Sequence, residues 1–151
     1  MSTTQQPILD AVWSLLATTA GVNTLVGGVT SPYAAGRIYD GMAEQGTNSP
    51  FITINVIADA PVMYFTIDSL DMTIQIDIWG DFHADPKTTR TIADAVYTAL
   101  HRATPTVTGY GNVSLLCKDR GTVEPDYIAG GVTAKDKWRV IQTYRIQGSG
   151  T

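Results

Sequence analysis

The stretch "DMTIQIDIWGD", residues 71 to 81, alternates apolar and polar side chains almost without a lapse. Met72, Ile74, Ile76 and Ile78 point one way; Thr73, Gln75, Asp77 and Trp79 point the other. A strand with this period of two buries one face and leaves the second polar. The isoleucine face therefore demands a cover, and the polar face must meet water, a ligand or another copy of the chain.

The cover is found directly downstream, in "DPKTTRTIADAVYTALHRA". Asp85 suits a helix N-cap and Pro86 the position after it. Ile92, Ala95, Val96, Ala99 and Leu100 recur at helical spacing and give a narrow apolar face. His101 and Arg102 fall in the last turn, where the helix dipole favours positive charge. A helix over residues 86–102 would be about 25 Å long at 1.5 Å per residue. A strand over residues 72–79 would be about 26 Å long. One can cover the other along its whole length.

The remaining elements fit around that pair. "PILDAVWSLLATTAGV" reads as a first helix, with Pro7 at its start and a stripe of Ile8, Val12, Leu15, Leu16 and Thr19 flanked by Leu9 and Trp13. Gly21 should close it, and "VNTLVGG" should add a short helical turn. "GRIYDG" is a brief extended piece, and "MAEQGTNSP" a loop of turn formers. "FITINVIA" and "VMYFTID" are strands that lead, through "DAP" and "SLD", into the alternating strand as an antiparallel meander. "NVSLLCKD" and "KDKWRVIQTYRIQ" are two later strands, separated by the extended loop "RGTVEPDYIAGGVTA". The expected fold is α+β: a mostly antiparallel sheet with two main helices on one face. Residues 1–151 form one domain, with no repeat or dividing linker and with an extended loop at about 120–134.

Composition narrows the function. The net charge of −4 argues against a duplex-binding role based on phosphate neutralisation. Charged residues are sparse, at 16%. They are also unevenly placed: residues 1–117 hold 4 basic and 10 acidic groups, and residues 118–151 hold 6 basic and 4 acidic. Such polarity suits ordered packing of copies or partners, and equally a chance scatter on a solvated surface. Cys117 is the single cysteine, which excludes an internal disulfide and a cysteine metal cluster. No apolar run reaches membrane-spanning length, and "MSTTQQP" lacks the charged start and apolar core of a signal peptide.

Catalytic chemistry is hard to assemble from these residues. Asp81, His83 and Asp85 alternate in "GDFHADP" and could offer three metal ligands or serve a small hydrolase or nucleotide-binding enzyme. Asp85 is already explained as a cap, so the expectation is a polar turn with no metal. Cys117 alternates with Val113 and Leu115 and reads as a small buried apolar group. "GYGN" lacks the Lys-Ser/Thr of a phosphate loop. Asp68 and Asp71 read as a turn between strands. Tyr33, Tyr39, Tyr64, Tyr110, Tyr127 and Trp138 could stack on bases, but without interleaved basic residues they fit core edges or protein interfaces better. No catalytic set and no cofactor site is expected.

The order of features, rather than any one motif, resembles the tail completion, or tail terminator, proteins of bacteriophages with long non-contractile tails. The likeness runs from "AGVNTLVGG" through "GRIYDGMAEQGTNSPFITI" and "IQIDIWGD" to "IADAVYTALH" and "WRVIQTYRI", nearly the full length. The resemblance implies a structural virion protein made in the host bacterial cytoplasm, not an enzyme. It implies a homohexameric ring at the head–tail interface that caps the tail tube, touches the major tail-tube protein and the head connector or stopper protein, and lets DNA pass through its lumen without specific binding or a membrane. Another head–tail adaptor or tail-tube protein is the alternative. Under this reading the polar strand face, with Gln75 and Asp77, meets neighbours or the lumen. The long loops at 41–50 and 120–134 make inter-subunit or tube contacts, with Arg120, Asp126, Tyr127 and Ile128 as candidates.

Overall fold

The computed structural model describes residues 5–23, 38–41, 50–59, 62–64, 67–81, 85–126 and 137–150. Among these residues, three helices, α1 (Gln5–Thr18), α2 (Ala20–Asn23) and α3 (Pro86–Leu100), accompany seven strands. These are β1 (Ile38–Asp40), β2 (Phe51–Asp59), β3 (Val62–Tyr64), β4 (Ile67–Asp81), β5 (Tyr110–Asp119), β6 (Glu124–Asp126) and β7 (Lys137–Gly150). The expected α+β class holds.

The sheet is organised around the antiparallel pair β4–β7, which stays in register from Ser69↔Ser149 to Asp81↔Lys137. The strand order is β1-β2-β4-β7-β5, with β3 on β4 and β6 on β7. Ser69 pairs with Val62 on one side and Ser149 on the other, so β3 continues the line of β2. In the same way Arg139 pairs with Glu124 and Trp79, so β6 continues the line of β5. Among the described strands, β1 alone, beside β2, runs parallel to its neighbour.

This arrangement corrects two expectations. β2, β3 and β4 do not form a three-stranded meander; β2 and β3 together face β4 as one interrupted arm of a long hairpin. "SLD" is no turn either, since Ser69, Leu70 and Asp71 pair with Ser149, Gly148 and Gln147 inside β4. Turn-forming residue types were overridden there by pairing with β7 and by burial of Leu70, 6% exposed. Part of the expected loop at 120–134 is also sheet, because Glu124, Pro125 and Asp126 pair with β7. Of the expected loop at 41–50, residues 42–49 lie outside the described residues.

The alternation of β4 is obeyed. Met72, Ile74, Ile76 and Ile78 are all buried, and they meet Ile146, Tyr144, Gln142 and Val140 of β7 on the same face. Ile52 and Ile54 of β2 and Leu115 of β5 extend that apolar layer. Helix α3 lies across β4, β7 and β5, and α1 packs beside it. From α3 the buried residues are Thr89, Ile92, Ala93, Val96 and Leu100. Ala95 and Ala99, placed on the apolar face by spacing, are half-buried at its margin. From α1 they are Ile8, Leu9, Val12, Trp13, Leu16 and Ala17, with Leu15 half-buried. Trp13 Nε1 donates to Ile38 O at 3.1 Å, which ties α1 to the first strand.

Polar groups within this layer are paired. Gln142, 1% exposed, donates from Nε2 to the Ala93 carbonyl of α3 at 3.0 Å. The Tyr144 hydroxyl donates in turn to Gln142 Oε1 at 2.5 Å. Burial pushes the Tyr144 hydroxyl far above its ordinary range, so it remains a donor. The half-buried Cys117 thiol is also raised by burial, in keeping with its expected role as a packing group.

Asp85 caps α3 as expected, its carboxylate accepting Lys87 N–H at 2.9 Å, and Pro86 follows it. The helix can approach β4 because residue 80 is glycine. A Cβ there would stand 1.9 Å from Thr89 Oγ1 and 3.1 Å from Thr89 Cβ. Gly80→Ala should therefore cost about 1–3 kcal/mol through overpacking, read as a lower urea midpoint at constant slope. An unchanged midpoint would mean that α3 does not sit this close.

His101 sits at the end of the helix, as expected, and has a further role there. It is the C-cap of α3, and its Nδ1 accepts the Cys117 N–H at 3.1 Å while its ring stacks on Tyr97 at 4.8 Å. The cause is tertiary: β5 runs alongside the helix end with its outer N–H groups turned toward it. Arg102 N–H and Ala103 O bond the Leu115 carbonyl and N–H on the same edge, at 2.8 and 3.0 Å. The outer edge of β5 is thereby closed over Leu115 and at the Cys117 N–H.

Candidate functional site

The sheet face turned away from the helices carries the unusual side chains. On β4 it presents Asp71, Thr73, Gln75, Asp77 and Trp79; on β7 it presents Lys137, Arg139, Ile141, Thr143 and Arg145. Both sets follow from period-two alternation, because the opposite positions are in the core.

Asp77 is the centre of this face. It is 3% exposed, so it is not the solvated carboxylate of a one-sided sheet. Arg139 donates to its Oδ2 at 3.1 Å, and Gln75 Nε2 donates to its two oxygens at 3.0 and 3.2 Å. A buried carboxylate persists only with such compensation. The Arg139 guanidinium also lies 4.6 Å from the Trp79 ring centre. Trp79 Nε1 donates to Thr53 Oγ1 at 3.2 Å, and its ring stacks on Phe51 at 5.8 Å and 17°. Tyr39 meets Phe51 edge-on at 6.3 Å, and the Lys137 ammonium lies 5.4 Å from the Phe51 ring. Four strands are thus stitched together by Tyr39, Phe51, Trp79 and Arg139, with cation–π and aromatic contacts each worth about 0.5–1.5 kcal/mol.

The same motif recurs further along the strand pair. Arg145 grips Asp71 through Nε and one terminal nitrogen at 2.9 and 2.8 Å. That bidentate contact holds the Asp71 carboxyl below the usual carboxylate range. Because its folded pKa is depressed, Asp71 contributes stability that is present above about pH 4 and lost as pH falls through the lower folded value. Asp71→Asn should therefore flatten the decline of stability in that acid window while leaving its pH dependence near neutrality unchanged. An identical acid profile for the variant would show the pair to be energetically idle.

The sequence-derived candidates do not converge. Gln75 and Asp77 lie together on the open face. Arg120 sits on the helix side, bonded to Asp94 of α3 at 3.0 Å and 4.0 Å from the Tyr97 ring centre. Asp126 is in β6, while Tyr127, Ile128 and His83 fall outside the described residues. Within the subunit Arg120 is a strut against α3. Asp71, expected in a turn, belongs instead to the open face. Phe51, Trp79, Arg139 and Arg145 are the residues that sequence reasoning missed. A signal existed: Asp71 and Asp77 have the same spacing as Arg139 and Arg145, which two antiparallel strands can superpose.

The charges of the two aspartates and two arginines are thus spent on each other across β4 and β7. Among the described residues no group of three or more His, Cys, Asp or Glu could hold a metal ion. Among those residues, no helix is long and apolar enough to cross a membrane.

Among curated proteins none matches. A chain in the solved virion of a native gene transfer agent particle is 18% identical, with a TM-score of 0.72 over 99% of this chain and 100% of that one. At that identity the likeness establishes a shared fold. A second solved chain, at 12% identity and a TM-score of 0.49, is too distant to argue from. The family profile described as tail completion protein gp17 matches residues 10–129, a span that takes in the larger part of α1, the β2–β4 hairpin, α3, β5 and β6. This chain belongs to the gp17 tail completion protein family.

Proposed function

We propose that this protein, a structural component of a phage-like tail, assembles as a six-membered ring that caps the tail tube and joins it to the head connector. The observation that carries the reading is the family match over residues 10–129, most of the chain. Family membership implies a structural rather than catalytic role. A chain of the same fold in a gene transfer agent virion supports a place within a particle.

The geometry suits that task. A ring subunit needs a rigid body and surfaces whose charges are arranged before assembly. The open face meets this requirement, with its two Asp–Arg pairs fixed across β4 and β7. In the proposed ring this face turns toward the lumen or the adjoining copy. Arginines held by carboxylates grip passing phosphates weakly, which suits DNA transit without specific binding.

Mass measurement in solution combined with negative-stain imaging tests the proposal. The expected result is a six-chain species with a central hole that binds the ends of purified tails lacking their completion protein. A species that polymerises into open tubes would favour a tail-tube role. Failure to bind tails in any form would overturn the capping role.

A further inference from the structure

Charge is sorted by strand across this sheet. Between residues 38 and 86 the chain has no Lys or Arg, and the acids of β1, β2 and β4 include Asp40, Asp59, Asp71 and Asp77. β7 carries Lys137, Arg139 and Arg145 and no acid. Where β4 meets β7 the two sets cancel in the Asp77–Arg139 and Asp71–Arg145 pairs. The outer strands keep opposite signs. Exposed Asp40 and Asp59 mark the β1–β2 edge, Asp59 being held by Gln5 Nε2 at 2.8 Å, which leaves its charge in place. Exposed Arg102, bonded through its N–H to Leu115 O, and exposed Lys118 mark the β5 edge. Of the neighbouring ions, Arg120 is paired with Asp94, and Asp119, which accepts the Gly121 N–H, keeps its charge, so Arg102 and Lys118 leave the edge net positive.

Large apolar side chains follow the same division. Among the described residues, Ile57 is 51% exposed at the bulge of β2, and Leu116 of β5 is 46% exposed. Ile141, 38% exposed, lies on the same side as Leu116, on neighbouring β7. Two different patches at opposite edges, each apolar and of opposite charge, are what a head-to-tail contact between identical copies requires.

We propose that the β1–β2 edge of one copy, with Ile57, Asp40 and Asp59, docks on the β5 edge of the next, with Leu116, Arg102 and Lys118. The inference rests on the ring reading and names the two surfaces that make the ring. The contact runs through side chains, not through an added strand, because the Leu115 backbone groups and the Cys117 N–H on that edge are already bonded. Apolar groups at the centre supply affinity, and the flanking charges fix the direction.

Two variants, Ile57→Asp and Leu116→Asp, test it by mass measurement over a range of concentrations. Each alone should need at least roughly tenfold more protein to assemble, as for loss of an interface hot spot. Thermal unfolding of the separated chains should change little, since both positions are exposed. Mixed in equal amounts, each variant supplies the intact edge that the other lacks, so a two-chain complex should form and grow no further. The charge-reversed pair Asp59→Lys and Lys118→Asp does not depend on the first pair folding: each alone should assemble more weakly, whereas their mixture restores opposite charges at both contacts and should close into rings of alternating copies. Wild-type-like rings from the single variants, or monomers in the mixtures, would overturn this interface and leave the ring reading intact. A wild-type chain that never exceeds a monomer would overturn both.

Discussion

Ile76→Ala should lower the free energy of unfolding by about 2–5 kcal/mol, the range for removing a fully buried aliphatic side chain and leaving a cavity. Ile76 is 0% exposed and sits mid-strand in β4, between Ile54 of β2 and Gln142 of β7. Both neighbouring strands are fixed by long registers, so the gap can close only by moving α3, whose Ile92, Val96 and Leu100 are also fully buried. Leu100→Ala at the helix end should fall in the same range. A domain of this size has only about 5–15 kcal/mol of stability, so either change would be plain in urea titration. A neutral Ile76→Ala would mean that α3 does not cover β4.

Asp77→Ala should be nearly as damaging, at about 2–4 kcal/mol. Removing one member of a pair buried on both sides costs about 3–5 kcal/mol, because the remaining charge is left without compensation. Here the Arg139 side chain keeps 30% of its surface exposed, against 5% for Asp77, so water can relieve part of that cost. Gln75 would lose its acceptor at the same time. In a double-mutant cycle, Asp77→Ala in an Arg139→Met background should cost clearly less than in the wild type. Strict additivity would show that the two side chains are not coupled. The same variant should also disturb Trp79, whose fluorescence provides an independent readout of the guanidinium stacked 4.6 Å away.

The core and the open face differed in how far they could be read from the chain. Alternation in residues 71–81 and helical spacing in residues 92–100 are local patterns, and both carried over to buried faces. Asp85 and Pro86 marked the helix start because capping depends only on adjacent backbone groups. Ser69 and Asp71 misled because their turn preference is weak beside the pairing of a fifteen-residue strand with β7. The same dependence on a distant partner hid the open-face network. Thr53, Asp77, Trp79 and Arg139 come from three separate segments, and each has an ordinary bland explanation when read alone.

Sequence by itself determined the α+β class, the face of β4 that is buried, the helix that buries it and the order of elements shared with the tail completion family. These rest on periodicity and on end signals, which act within a few residues. Only the tertiary structure decided that β2 and β3 form one interrupted arm, that His101 accepts a hydrogen bond from β5 and that Arg120 braces α3. It also decided that Asp77 is buried against Arg139 rather than solvated. The reason is common to all four: a strand's period fixes which way a side chain points, while the identity of what it meets is set by the register between segments up to 62 residues apart in the chain.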